Sequence, residues 1–417
     1  MKTLLLAVLA GTVAVPAWAQ SPASVTYVQA GRLLDRPGQA PRGASTIILR
    51  DKFVLPGLID LHVHLFSEGD PLKERMDALT RDEADEFVIG IEDARRDLEA
   101  GFTTVRDLGS NPRSVRALRD AVDRGAIAGP RIINAGEMIS ISGGHGDDTN
   151  GLAETFAEAV AHRQINTCNG ADDCRRAVRQ QIGLGALVIK FAATGGVLSN
   201  VAGGLGKQMT DEEMKAIVET AHSFGRRVAV HAHATEGVRG AVEAGADSIE
   251  HGSFLDDATI AAMKAHGTWL VPTMIAPVTA LANARAGKLP PATIPKAEVA
   301  AAAAAASHAK AIKAGVKVAF GTDTGVSRHG ENAREFALLV RAGLTPAGAI
   351  RAATLDAADA LGRKDQLGSL EPGKAADLIA VSGDSLQDVT VLEHVDTVLR
   401  AGVVHMLRGK RQAFPQD

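Results

Sequence analysis

The chain has 417 residues, 46% of them hydrophobic and 23% charged, with a formal net charge of -4. That length suits one large globular domain with room for a small second one, and the near-balanced charge leaves no basic footprint for nucleic acid or an anionic membrane. Aromatics at 3% argue against base- or sugar-stacking platforms, and the 43 glycines fit an alternating strand–helix protein with many tight turns.

The first stretch, MKTLLLAVLAGTVAVPAWAQ, has a basic Lys2, an apolar run from Leu4 to Val15 and a small-x-small end at Ala17-Trp18-Ala19. It reads as a secretory signal peptide, residues 1–19, cut after Ala19. The alternative is a membrane anchor, but the run falls short of the roughly 20 residues a span requires. No twin arginine precedes it, so the general secretory route is expected. The mature protein is then periplasmic or secreted, without stable membrane association.

Residues 22–54 read as short strands and turns, and STIILRDKFVLPG leads directly into LPGLIDLHVHL. From there apolar strands alternate with amphipathic helices. The predicted strands are 58–65, 103–109, 130–137, 186–194, 227–234, 247–252, 269–274 and 317–325. In TDEEMKAIVETAHSFG, Thr210 is set to cap a helix, acids fill its first turn and Gly225 stops it. The alanine run 300–306 is a strong helix former and reads as scaffold. Such a strand–helix alternation predicts an α/β fold, a (β/α)8 TIM barrel over 55–365. The tail, with LGSLEPGKAADLIAVSGD and VLRAGVVHMLRGK, reads as short strands with Gly and Pro turns. Residues 366–417 are expected to pair with 20–54 in a small β subdomain formed by both chain ends. Cys168 and Cys174, in NTCNGADDCRR, are either a local disulfide, as an oxidising compartment favours, or two free thiols.

His62 and His64 lie two apart on an apolar strand, so their rings share a side. Such a pair is either a metal site or two hydrogen-bonded core histidines. The remaining strand ends favour metal. Lys190 ends the fourth strand, His231 and His233 the fifth, His251 the sixth and Asp323 the eighth. Those are the positions where a barrel gathers its active groups. Lys190 could snorkel or form a Schiff base. A buried lysine, however, has a depressed pKa, and a neutral amine can take up carbon dioxide to become a carbamate, an anionic ligand with two oxygens able to bridge metals. With histidines gathered around it, that reading is the better one. His231 and His233 share a strand face, so either can be the ligand. His145, in ISGGHGDD, sits on a glycine-rich loop that permits close backbone approach. Arg328 is a candidate for a substrate carboxylate or a solvated surface arginine, and His329 beside it is a weaker substrate-binding candidate. His162, His222 and His308 fall on helical stretches and carry no special weight.

The order His-x-His, Lys, His, His, Asp on strands one, four, five, six and eight resembles the amidohydrolase superfamily. The likeness covers nearly all of the mature chain through FVLPGLIDLHVHL, GFTTVRDLG, VIKFAATGGV, VAVHAHA, SIEHG, GTDTG and LGSLEPGKAADLIAV. Within the superfamily it is similar to the prolidase and Xaa-dipeptidase group near imidazolonepropionase, particularly to bacterial amidohydrolases that cleave ochratoxin A. The resemblance implies two divalent metal ions, most simply zinc. His62, His64 and Asp323 would hold one, His231 and His251 the other, with carboxylated Lys190 bridging. It implies that Asp323 carries the proton and that His145 and His233 meet the substrate, His233 otherwise being a structural histidine. The expected substrate is a small amide or dipeptide cut at its C-terminal amide, and the expected assembly is a homo-oligomer. The rival readings are a cyclic amide hydrolase of imidazolonepropionase type and a periplasmic metal- or ligand-binding barrel without catalysis. In one respect the chain departs from this pattern: the strand residues before KFVLPG are abbreviated.

Overall fold

A computed structural model describes residues 29–33 and 48–414, apart from 68, 71, 72, 74, 75, 78, 79, 163, 200, 202 and 290–293. The proposed signal segment lies outside the described residues. The strands, in chain order, are β1 (Gln29–Leu33), β2 (Ile48–Pro56), β3 (Leu58–Val63), β4 (Phe102–Asp107), β5 (Arg131–Asn134), β6 (Val188–Ala192), β7 (Arg227–Ala232), β8 (Ser248–His251), β9 (Trp269–Val271), β10 (Leu378–Val381), β11 (Val395–Arg400), β12 (Val403–Leu407) and β13 (Lys410–Arg411).

Strands β3 to β5 and β6 to β9 form two parallel ladders with helical crossovers. Their side chains are almost wholly buried on both faces, as a sheet covered by helices on one side and by itself on the other requires. Backbone hydrogen bonds join the two ladders into a ring. Leu187 N–H donates to Asn134 O (2.8 Å) and Ile139 N–H to Lys190 O (2.9 Å) across the β5–β6 seam. On the other seam, segment 317–324 serves as the eighth strand. Ala319 N–H donates to Leu270 O (2.9 Å), Leu61 N–H to Phe320 O (3.0 Å) and Asp323 N–H to His62 O (2.7 Å). This segment meets its neighbours through isolated bridges at Leu270–Val318 and Val63–Thr324, not through a regular ladder. The expected (β/α)8 barrel is therefore the fold.

The second sheet runs β1-β2-β10-β11-β12-β13 and draws on both ends of the chain. β1 pairs with β2 in parallel, where a hairpin would have been antiparallel. β2 pairs antiparallel with β10, from Leu378 opposite Pro56 to Val381 opposite Phe53. It then passes through Gly57 into β3, so the small sheet is continuous with the strand that carries His62 and His64. Apolar side chains of both meet in one core, where Phe53, Leu55, Ile379 and Val398 pack with Leu58, Phe102 and Phe320. A helix spans Asp211–Ser223 as expected, with a capping box between Thr210 and Glu213, and Gly225 just beyond it at φ +65°. Cys168 and Cys174 are joined by a disulfide, both fully buried. So short a loop gives a gain of about 2 kcal/mol.

Candidate metal centre and active site

The ends of the barrel strands deliver their polar side chains into one cavity of about 250 Å³. His62, His64, His145, Lys190, His231, His233, His251 and Asp323 all line it. Two backbone positions that aim side chains inward have left-handed dihedrals, His251 at φ 70° and Asp323 at φ 59°. Non-glycine residues adopt that region rarely and at some cost. Gly325, at φ +116°, lets the turn after Asp323 lie against His64, where a Cβ would fall 2.7 Å from that residue's own Cβ. A Cβ at Gly196 would overlap the His145 ring, so the loop after β6 reaches that histidine only through glycine.

The hydrogen bonds orient the rings. His62 Nδ1 donates to the Glu250 carboxylate (2.9 Å) and His64 Nδ1 to Gly109 O (3.0 Å). His251 Nδ1 shares a hydrogen bond with Thr273 Oγ1 and His233 Nδ1 one with Ser253 Oγ, both at 2.8 Å. Each of these rings has Nδ1 engaged, which leaves Nε2 to face the cavity. His231 is turned the other way, with Nε2 toward Gly195 O at 3.4 Å and Nδ1 left over. Asp323 Oδ1 lies 3.3 Å from His62 Nε2 and 3.1 Å from His64 Nε2, and Lys190 Nζ lies 3.4 Å from His62 Nε2.

Two groups of donor atoms each fall within 4.8 Å of one another: His62, His251 and Asp323, and His231, His233 and His251. Burial lowers the pKa of His62 to about 4, of His233 to about 4 and of His145 to about 3, and pushes His231 and His251 well below the usual imidazole value. Neutral rings with a free nitrogen are what a metal requires. Burial also lowers Lys190 to about 8, bringing a neutral amine within reach of physiological pH. For Asp323 burial acts upward, but His62, His64 and His251 outweigh it and hold the carboxyl far below its ordinary range. His145 Nδ1 is buried without a partner, an unmet valence inside the cavity. Donor set and protonation both fit a metal centre.

The comparisons decide the family. The amidohydrolase family matches residues 53–406. The chain belongs to the amidohydrolase family. Ochratoxinase from Aspergillus niger is 31% identical to this amidohydrolase, covering 90% of this chain and 85% of its own. A solved Xaa-Pro dipeptidase with methionine bound in its active site superposes with a TM-score of 0.84 and 36% identity, covering 91% of this chain and 99% of its own. The solved A. niger ochratoxinase superposes at 0.79, with 29% identity over 92% of this chain and 96% of its own. The amidohydrolase is thus a hydrolase of carbon–nitrogen bonds, in a family that is typically metal-dependent.

Two sequence candidates lie elsewhere. Arg328 is exposed and stands outside the cavity lining. His329 is buried beneath β3, outside the cavity lining: Nδ1 donates to Asp97 (2.9 Å) and Nε2 to His64 O (3.1 Å). The physical reason is the pair of buried acids Asp93 and Asp97 on helix Glu83–Glu99, which call for a cation below His64. Burial acts downward on His329, but Asp97 and Asp93 raise it to about 9. A histidine raised in the folded state stabilises fully below its unfolded value of about 6.5 and loses that contribution as pH rises through about 9. The urea midpoint of the wild type should therefore fall between pH 6.5 and 9, and H329Q should flatten that decline.

Other contributors carried no signal in the sequence. Glu250 and Arg106 are fully buried within the barrel, where Arg106 Nη2 donates to Glu250 Oε1 (2.7 Å) and Arg106 Nε to Leu61 O (2.6 Å). His308 is buried and donates through Nε2 to His251 O. Ala304 and Ala300 line the cavity about one and two turns before it. The alanine run is therefore wall as well as scaffold, and His308 does carry weight.

Proposed function

We propose that this amidohydrolase removes the C-terminal amino acid from N-acyl amino acids or dipeptides, and that an ochratoxin A-type substrate, an aromatic acyl group on phenylalanine, fits it. The observation that carries this reading is the meeting of the predicted ligands on one side of a cavity whose other side is apolar, built from Val197, Leu198, Ala276, Pro277, Ala300 and Ala304. The likeness to an ochratoxinase and a Xaa-Pro dipeptidase supports the same bond. In this reading His62, His64 and Asp323 would hold one zinc ion and His231 and His251 a second, and Lys190, once carboxylated, would supply an anionic oxygen ligand. Two such ions would polarise the scissile carbonyl and ionise a water near neutral pH. Asp323 takes a proton from the attacking water and returns it to the amine as the carbon–nitrogen bond breaks. His233, held by Ser253, and His145, with Nδ1 unpartnered, orient the carbonyl and the product carboxylate. The apolar wall takes the acyl group and excludes water. Export across the inner membrane is part of the proposal, and no described helix is long and apolar enough to span a membrane.

Mass spectrometry of the zinc-loaded protein on a panel of dipeptides, N-acyl amino acids and cyclic amides tests this. Release of a C-terminal amino acid, abolished by chelator and restored by zinc, is the expected result. Turnover of cyclic amides alone would move the activity to the imidazolonepropionase type. The wall makes a finer prediction. A304L should lower kcat/KM for a bulky aromatic acyl group about tenfold or more relative to an acetyl group, because a few methylenes in a tight apolar pocket are worth that much. Equal losses for both would separate Ala304 from acyl recognition.

A further inference from the structure

The barrel has a second cavity at the opposite end from the metal ligands, at the N-terminal ends of β6 and β7. Its volume is about 450 Å³, and Arg106, Arg226, Arg227 and Arg363 line it, with no carboxylate among the described lining residues. Two of these charges are met from behind. Arg106 pairs with Glu250 at 2.7 Å and Arg227 with Asp247 at 2.8 Å. The other two are not: among the described residues, neither Arg226 nor Arg363 has a carboxylate within ion-pair distance. Arg363 Nη1 donates only to the neutral Gln366 Oε1 (3.3 Å). Arg226 Nε is buried with no partner at all. Burial, then repulsion from Arg131 and Arg226, lowers the pKa of Arg363, against a smaller pull upward from Asp123, which lies beyond ion-pair distance.

Arg226 and Arg363 are half-buried, and like charges gathered around a cavity with a buried guanidinium nitrogen unsatisfied make it a favourable place for an anion. Guanidinium forks match the tetrahedral oxygens of a phosphoryl group, and two of them can grip it from two sides. The rest of the wall is apolar, with Ile133, Leu187, Val188 and Leu361. We propose that this cavity binds a phosphoryl oxyanion, held by Arg226 and Arg363, with the apolar wall receiving the organic group of a phosphate monoester. Its anion ligands, Arg226 and Arg363, do not line the cavity at the other end of the barrel.

The test is calorimetric titration of the metal-loaded protein with inorganic phosphate and with phenyl phosphate, at ionic strength held constant with potassium chloride. The wild type should bind phenyl phosphate saturably and more tightly than inorganic phosphate. R226Q/R363Q should bind both about tenfold more weakly or worse, since two charge-assisted contacts are gone. Phosphate taken up by the metals would be untouched by this double variant, so equal affinity in both proteins overturns the proposal, as does the absence of saturable binding to the wild type. Tighter binding of inorganic phosphate would overturn the role of the apolar wall. Folding of the variant is read separately. In phosphate-free buffer its thermal midpoint should match or exceed that of the wild type, because crowded charge has been removed, and added phosphate should raise the wild-type midpoint alone.

Discussion

Asp323→Asn is expected to cut kcat by about 10²- to 10⁴-fold, the range that a positioned proton carrier contributes, while the fold survives. The side chain is nearly isosteric, and the backbone that places it is held elsewhere: Asp323 N–H donates to His62 O, and Asp60 accepts from Thr322 N–H and Asn332 Nδ2. What changes is the charge. Asn carries no basic oxygen, and its amide nitrogen would face the two imidazole nitrogens that now lie at 3.1 and 3.3 Å. Turnover should therefore be measured at saturating zinc beside metal content and the urea midpoint. A variant that holds its metal, unfolds like the wild type and retains kcat within tenfold would remove Asp323 from proton transfer. A barrel that only bound metal or ligand would show no turnover in either protein, so the same pair of measurements separates an enzyme from a binder.

The barrel and the lining of its cavity were legible because the chemistry repeats a position. His62, Lys190, His231, His251 and Asp323 each stand near the C-terminal end of an apolar strand, and a barrel turns that one-dimensional rule into convergence. The eighth strand was read from KVAFGTDTG although its pairing is broken into isolated bridges, since burial and not ladder regularity shapes the sequence. The supports were not legible. Glu250 sits one residue before His251 and looked like part of a strand; its partner Arg106 is 144 residues away. Nothing local predicts such a pairing, because it depends on two strands facing each other across the barrel. His308 sits on a helix otherwise rich in alanine, and only docking of that helix on β8, with Ser307 Oγ donating to Gly252 O (3.0 Å), brings it to His251. His329 is beside the candidate Arg328 in sequence, yet its ring turns inward toward two acids on a distant helix.

Glu250→Gln is expected to destabilise the protein by about 3–5 kcal/mol, the penalty of leaving a buried charge without its partner. The glutamate is fully buried and its pKa falls to about 2: burial acts upward, but Arg106, then His62 and Lys190, prevail. Removing its charge strands Arg106 within the barrel and takes from His62 the acceptor that fixes its ring. Two readouts follow. The urea midpoint should fall at an unchanged slope, and zinc affinity should drop about 10- to 100-fold, as it does when the outer hydrogen bond of a ligating histidine is lost. R106M/E250M should recover much of the lost stability, because a buried pair replaced by apolar groups of similar volume costs little, though Leu61 O and Ser248 Oγ lose a donor. It should not recover the zinc affinity, since His62 still lacks its carboxylate. The acid limb gives a third check. A carboxyl depressed in the folded state contributes above its unfolded pKa and loses that contribution as pH falls through about 2. The wild type should therefore weaken steadily below pH about 4.5, and E250Q should weaken less over the same window. An E250Q protein that unfolds at the wild-type urea concentration and holds zinc equally well would make the Arg106–Glu250–His62 chain a bystander to the metal centre.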